Sequence, residues 1–254
     1  MIPIHRELQY GMPLPRFYCP IPLPPGREVA LPEAVARHAQ SALRLRAGDG
    51  LILFNGDGAE CTAILDRAGR ESRARILECR PVDRESALEV VLAQGVSSGE
   101  RMDYTLQKAV ELGVSSIQPL VTRRTVVRLD VERRQRRRAH WQGVVMSACE
   151  QCGRSRLPEV GEILEYPEWL GASRDMGVMK LILDPAGAQR LRDLPPPDRP
   201  VLLLAGPEGG FEPAERDCAL AAGFVPLRLG PRILRTETAA VAALAAMQAL
   251  WGDG

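Results

Sequence analysis

The sequence predicts an α/β protein in two parts. A small β-rich, barrel-like domain covers residues 1–84, and an alternating α/β domain on a mostly parallel sheet covers residues 85–254. Three observations carry this reading. Before Arg84, short strand-type runs recur between turn signals, with one helical stretch among them. From Leu88 onward strand-type and helix-type runs alternate, the pattern of a sheet with helices on both faces. Two apolar runs in the second part end in loops that open helices, the place where ligands bind in such sheets.

Taken in order, residues 1–14 show no period and read as an arm. Residues 16–19 form a short strand, and the proline-rich stretch 20–26 is a loop. Residues 32–45 carry helical spacing at Val35, Ala39 and Leu43, with Pro32 near the first turn. Residues 51–54 and 61–65 are strands joined by Asn55-Gly56-Asp57-Gly58, a hairpin signal, and 74–79 is a further strand. In the second part, 88–94 is a strand. Met102, Leu106, Ala109 and Val110 mark one face of a helix that Gly113 ends. Residues 117–121 form the next strand. Residues 132–152 form a long helix with Trp141, Val144, Val145 and Ala148 on its apolar side. Residues 178–184 make a third strand, and 194–198 is a linker.

The last two strand-type runs lead into the most informative stretches. Residues 200–205 are apolar throughout, as in a strand buried on both faces. They end in Gly206-Pro207-Glu208-Gly209-Gly210-Phe211, and a helix follows from about Pro213. Residues 224–229 end in Gly230-Pro231, then Arg232, Ile233, Leu234, Arg235 and Thr236-Glu237-Thr238, before a run of helix formers over 239–250. Thr236 or Thr238 can cap that helix, and Glu237 suits the positive end of its dipole. A helix start with free backbone N–H groups can hold a polar ligand.

Composition bounds the function. With 254 residues, 45% hydrophobic and 26% charged, the chain is an ordinary globular protein of one or two domains. The longest apolar stretch, 239–250, is too short to span a bilayer, and no apolar segment follows the first charges as in a secretory leader. A cytoplasmic protein with no membrane partner is expected. Net charge is +1, and Lys108 and Lys180 are its lysines among 33 basic residues. Six scattered cysteines make disulfides unexpected. Cys149 and Cys152 form a CxxC without the second pair a zinc site requires, and near a helix end rather than a helix start, so no metal is expected. The 206–211 loop lacks the spacing of a dinucleotide fingerprint, and Glu208 would repel a pyrophosphate. A cofactor that carries positive charge fits it better.

Gly-Pro-Glu-Gly-Gly-Phe followed by Leu-Gly-Pro-Arg-Ile-Leu-Arg-Thr-Glu-Thr-Ala resembles the paired cofactor loops of the SPOUT methyltransferases. The match is closest to the RsmE family, which methylates N3 of a uridine in 16S ribosomal RNA. His38, the run Leu43 to Arg46, Gly48-Asp49 and the hairpin also resemble that family. So do Gly99 to Asp103 with Gln107-Lys108, and Glu150-Gln151 with Gly153-Arg154. The resemblance implies a SPOUT domain with a C-terminal trefoil knot, preceded by a PUA-like RNA-binding barrel, and a homodimer acting on 16S rRNA of the small ribosomal subunit. It implies S-adenosyl-L-methionine as cofactor, with Leu183, Leu204, Gly206, Pro207, Glu208, Gly209 and Gly210 on one side. Leu229, Gly230, Ile233, Leu234, Thr236, Thr238 and Ala239 are its expected partners on the other. Where family members often carry a lysine, this chain has Ser97-Ser98 before Gly99.

The chemistry assigns further roles. N3 of uracil becomes nucleophilic only as its proton leaves, so catalysis rests on in-line positioning and on stabilising the imide charge. Arg235 is the first choice for that electrostatic role and Arg232 the second, with Glu237 as proton acceptor. Residues 123–138 hold eight arginines against Asp130 and Glu132, with no acidic run nearby in sequence. Arg16, Arg123, Arg124, Arg128 and Arg154 are the expected RNA contacts. Two other classes compete: an RNA-binding module without catalysis, and a nucleotide-dependent oxidoreductase. Cofactor binding separates both from the transferase. A SPOUT enzyme acting on another RNA position is the remaining alternative.

Overall fold

The computed structural model describes residues 14–68, 71–127 and 130–254. They fall into two units. The first takes the residues up to Glu85 together with Cys149–Leu157, and the second takes Ser86–Ala148 and Pro158–Gly254. Membership of 149–157 in the first unit is invisible in sequence, because a long helical pattern runs into that segment without a break.

The first unit is built on five strands: β1 (Arg16–Tyr18), β2 (Glu28–Ala30), β3 (Gly50–Phe54), β4 (Ala59–Arg67) and β5 (Arg73–Pro81). Their order is β1-β3-β4-β5-β2. β1 runs parallel to β3, and the other pairs are antiparallel. In the β3–β4 hairpin, the Asn55 side chain accepts from the N–H of Asp57 at 3.2 Å, and the Asp57 side chain accepts from the N–H of Ala59 at 2.8 Å. Alternation sets the faces of β5: Ala74 and Ile76 are buried with Phe17, Leu51, Leu53 and Leu65, while Arg73 and Arg75 point outward. The helix expected over 32–45 is shorter. It comprises α1 (Glu33–Arg37) and one π-helical stretch (His38–Ala42). β2 was not expected; three residues with charged or small outward side chains carry little periodic signal.

One expectation is corrected here. Cys61 and Cys79 lie opposite each other in the β4–β5 register and are joined as a disulfide. Their spacing in sequence hides this, since only strand register makes them neighbours.

The second unit carries a parallel sheet of β6 (Val90–Gly95), β7 (Ser116–Val121), β8 (Glu159–Val160), β9 (Leu164–Glu165), β10 (Met179–Leu183), β11 (Val201–Ala205) and β12 (Val225–Leu227). The order is β12-β10-β11-β6-β7-β8, with β9 also on β7. β11 is buried along its whole length, as its unbroken apolar sequence requires. The helices are α2 (Gly99–Glu111), α3 (Val131–Cys152), α4 (Tyr166–Ala172), α5 (Pro213–Ala221) and α6 (Thr236–Trp251). α2 buries Met102, Leu106, Ala109 and Val110, and α3 buries Trp141, Val145 and Ala148. α6 turns Ala240, Ala243, Leu244 and Met247 inward and packs on α2. Gln248 fastens that contact: its amide donates to the Leu112 carbonyl at 2.9 Å and accepts from the Ser86 hydroxyl at 2.7 Å. Among the described residues, no helix is long and apolar enough to cross a membrane.

Candidate functional site

The C-terminal ends of β10, β11 and β12 open into three adjoining loops, and these enclose a cavity of about 330 Å³. That size lies at the lower end of small-ligand pockets. The sequence builds it locally. β11 delivers Gly206 at its buried end, and Gly210 takes a φ of +67°, which lets the loop double back. α5 then starts with a capping box, in which Glu212 and Glu215 exchange side-chain and backbone hydrogen bonds. The second oxygen of Glu215 accepts from the N–H of Arg123 at 2.9 Å, so the segment after β7 is fixed to the same helix start.

Two contacts join the loops. The Thr236 hydroxyl donates to the Gly206 carbonyl at 2.6 Å. The Gln94 amide, at the end of β6, donates to Gly206 O at 3.1 Å and to Thr236 Oγ1 at 3.2 Å. The expected helix cap is therefore corrected. Arg235 occupies the N-cap position of α6 with no side-chain cap, and Thr236 uses its hydroxyl across the cleft instead.

Glu208 is the one acidic group contributed to the cavity lining by the 206–211 loop. Its Oε1 accepts from the hydroxyl and N–H of Ser98 and from Arg101 at 3.4 Å. Burial raises its pKa, but the two Ser98 hydrogen bonds with Arg101 outweigh that and hold the carboxyl below the ordinary value. Its Oε2 is buried without a partner. Ser98 thus orients the acid. A second acid, Asp184, lies beyond β10 with little exposure. It accepts from Arg216 Nε at 2.6 Å and from the N–H of Ala186 at 2.8 Å. Asp184 and Arg216 line the cavity and had no signal in the sequence, while Phe211, the last residue of the loop motif, lines it too.

Leu183, Gly206, Pro207, Glu208, Gly209 and Gly210 line the cavity, as do Leu229, Gly230, Ile233, Leu234, Thr236 and Ala239. Leu204 does not; it is a residue of β11 and is fully buried in the core. Thr238 also lies outside the lining and is exposed. Arg232 and Arg235 are both exposed; Arg232 lies on the lining, whereas Arg235, at the N-cap of α6, lies off it. Glu237 sits in the first turn of α6, and its Oε2 is buried without a partner.

The arginines divide into different environments. Arg16 donates to Glu60 at 2.5 Å and to Gly153 O, Arg154 O and Ser155 Oγ. Arg154 is buried and paired with Glu85. Both guanidinium groups pair with partners inside the first unit, as burial of a charge demands. Arg124 donates to Gly209 O at 2.9 Å and lines the cavity, and Arg123 is exposed. Arg128 lies outside the described residues. The arginine-rich helix also has acidic neighbours that the sequence order concealed. Arg134 pairs with Glu165, and Arg138 with Glu159 at 3.3 Å and Glu162 at 3.0 Å. In the CxxC, burial pushes the Cys149 thiol up to about 12, unsuited to a reactive thiolate.

Comparison with known proteins places these features. A family model described as an RNA methyltransferase domain matches residues 84–248, and one described as an RNA methyltransferase PUA domain matches residues 31–72. The chain is 32% identical over 241 residues to ribosomal RNA small subunit methyltransferase E of Buchnera aphidicola, covering 94% of this chain and 98% of that protein. It is 33% identical over 218 residues to the protein of that name from Mycobacterium tuberculosis, covering 84% and 83%. Among solved structures, ribosomal RNA small subunit methyltransferase E of Neisseria gonorrhoeae, bound to S-adenosyl methionine, superposes with a TM-score of 0.90. The identity is 46%, over 94% of this chain and 99% of that one.

Proposed function

This chain belongs to the ribosomal RNA small subunit methyltransferase E family, and from that premise we propose that it methylates N3 of a uridine in 16S rRNA, using S-adenosyl-L-methionine. The observation that carries the reading is the cavity, where both loops singled out in the sequence meet around one space.

The lining suits the cofactor. Leucines and loop backbone offer an apolar wall and hydrogen-bonding groups for an adenosyl moiety. Glu208, held ionised with one oxygen unpartnered, matches a cation. When bound, S-adenosylmethionine supplies an electrophilic methyl group on a sulfonium. In our assignment Arg232 stabilises the negative charge that develops on the uracil imide, with Arg235 at the cleft edge. Glu237 takes the N3 proton. Arg123 and Arg124 hold RNA phosphate beside the cavity, and the base leaves its stack to enter.

The finer architecture forms part of the same proposal. The first unit closes as a PUA-like barrel. The segment into α6 threads a trefoil knot, a reading supported by the ties of Thr236 to Gly206 and of Gln94 to Thr236. The enzyme works in the cytoplasm as a homodimer on the small ribosomal subunit; the exposed Ala245, Ala249 and Leu250 of α6 support a packed interface. Calorimetric titration with S-adenosylmethionine, with NADH as control, tests the cofactor assignment. Transfer of labelled methyl to 16S rRNA that lacks the modification tests the reaction. Binding of neither ligand by the folded protein overturns the proposal.

A further inference from the structure

Gln94 ends the β6 segment that pairs with β11, in register with Ala205. Its side chain is fully buried. A buried amide in the middle of an apolar sheet needs a reason, since burial of polar groups is costly unless they are hydrogen-bonded. Its Nε2 lies within hydrogen-bond distance of three acceptors, Gly95 O at 3.0 Å, Gly206 O at 3.1 Å and Thr236 Oγ1 at 3.2 Å, which share its two hydrogens, while its Oε1 is buried without a partner. Two of the three are carbonyls, which fixes the amide orientation, because Oε1 turned toward them would set acceptor against acceptor. Thr236 in turn donates to Gly206 O at 2.6 Å, so it can only accept from Gln94. A directed chain of hydrogen bonds results, from amide to hydroxyl to carbonyl, and such chains strengthen one another.

The surrounding backbone is shaped to permit this. A Cβ on Gly95 would lie 2.5 Å from both the N and the Cδ of Pro207. The residue after Gln94 must therefore be glycine for the 206–211 loop to descend within reach of the amide. The chain reaches one residue from the central strand, one from the first cleft loop and one from the start of α6. Gln94 itself is absent from the cavity lining, so it does not touch what the cavity holds.

We propose that Gln94 is a positioning residue that locks the two loops of the cleft to the central sheet, and so sets the cavity in its cofactor-binding shape. The inference rests on the methyltransferase reading of that cavity. Its role is to hold the loops together before any ligand arrives, so its loss should raise the cofactor dissociation constant more than it changes turnover at saturation.

The test is Gln94→Met, which keeps length and burial but removes the donors. Three quantities are measured: amide hydrogen exchange of 206–210 without cofactor, the dissociation constant for S-adenosylmethionine, and kcat at saturating cofactor. Exchange in the loop should quicken about tenfold while 201–205 stays protected, as for the loss of one to two buried hydrogen bonds. The dissociation constant should rise about tenfold or more, and kcat should fall by less than about threefold. Loop exchange and affinity both within about twofold of the parent would overturn the proposal. Should Gln94→Met fail to fold, Thr236→Val removes the relay hydroxyl at constant shape; because Thr236 itself lines the cavity, loop exchange measured without cofactor is then the deciding reading, and exchange within about twofold of the parent overturns the proposal. Faster loop exchange in a protein that never binds the cofactor would uphold the lock and sink the methyltransferase reading instead.

Discussion

Ser98 grips Glu208 with two hydrogen bonds to one carboxylate oxygen, 2.6 Å from its hydroxyl and 2.7 Å from its N–H. The start of α2 thereby holds the tip of the 206–211 loop, 110 residues away in sequence. Ser98→Ala, which removes the hydroxyl bond and keeps the N–H bond, should destabilise the second unit by about 1.5–3 kcal/mol at pH 7, the usual worth of a hydrogen bond to a charged group. The pH dependence has a definite sign. The folded Glu208 carboxyl is held below its ordinary value of 4.5, so its contribution is complete above that value and is lost as pH falls through the folded pKa. The gap between parent and Ser98→Ala in urea midpoints should therefore close in acid below pH 4.5. A constant gap would show that Glu208 does not carry it.

Gly95→Ala should cripple cofactor binding while leaving the sheet in place. The added methyl would meet the backbone nitrogen of Pro207 at 2.5 Å, and backbone cannot swing aside as a side chain can. The loop must move outward, away from Thr236. Overpacking of this kind costs about 1–3 kcal/mol. We expect a dissociation constant for S-adenosylmethionine raised at least about tenfold, with thermal unfolding only a few degrees lower. Calorimetry and a melting curve on one sample decide it.

In the first unit, Glu60 is nearly inaccessible and gathers Arg16, Arg80 and Arg84. Burial raises its pKa, but the three arginines together pull it below the ordinary carboxylate value. Glu60→Gln leaves guanidinium groups facing a neutral amide and should cost about 2–4 kcal/mol, discounted because Arg80 and Arg84 reach solvent. Glu60 stabilises the unit above pH 4.5 and loses that contribution as pH falls through its folded pKa. Chemical unfolding followed by the tyrosine signal, at pH 7 and in acid, should show a large difference in the first condition and a small one in the second.

What the sequence revealed and what it concealed divide along a physical line. The helices α2 and α3 were legible because their apolar positions repeat with the helical period, β11 because its apolar run is unbroken, α6 because it is a run of helix formers, and β3 and β4 because a hairpin signal joins them. The cleft loops were legible because glycine and proline at 206–210 and 230–231 constrain the backbone locally. β8 and β9, with two residues each, and the seven-residue α4 were too short to show any period. The remaining misses are tertiary. Thr236 reads as a cap from its neighbours, yet its acceptor lies 30 residues away. Arg16 and Arg154 read as surface cations, yet Glu60 and Glu85 draw them inward. Asp184 and Arg216 meet only once β10 and α5 are packed. Side-chain partners that arrive from distant segments leave no local trace.

The two arginines of the second loop now carry different expectations. From sequence, Arg235 is the first choice for the electrostatic role and Arg232 the second. The structure puts Arg232 on the cavity lining and Arg235 off it, at the N-cap of α6, although both are exposed. A charge that stabilises a developing imide must face the reacting base, and the field weakens quickly with distance into solvent. Arg232→Ala should therefore lower kcat about 100-fold with little change in the cofactor dissociation constant, the pattern for an interaction made only in the transition state. Arg235→Ala should cost less in kcat and more in KM for RNA, with a weaker dependence of KM on salt, as for a phosphate contact. Single-turnover transfer to unmethylated 16S rRNA, run at two salt concentrations, separates the two. If Arg235→Ala shows the larger loss in the single-turnover rate and no change in salt dependence, the assignments are reversed. Arg235 would then have to swing over the cleft when RNA binds, a movement that the exposed N-cap leaves room for.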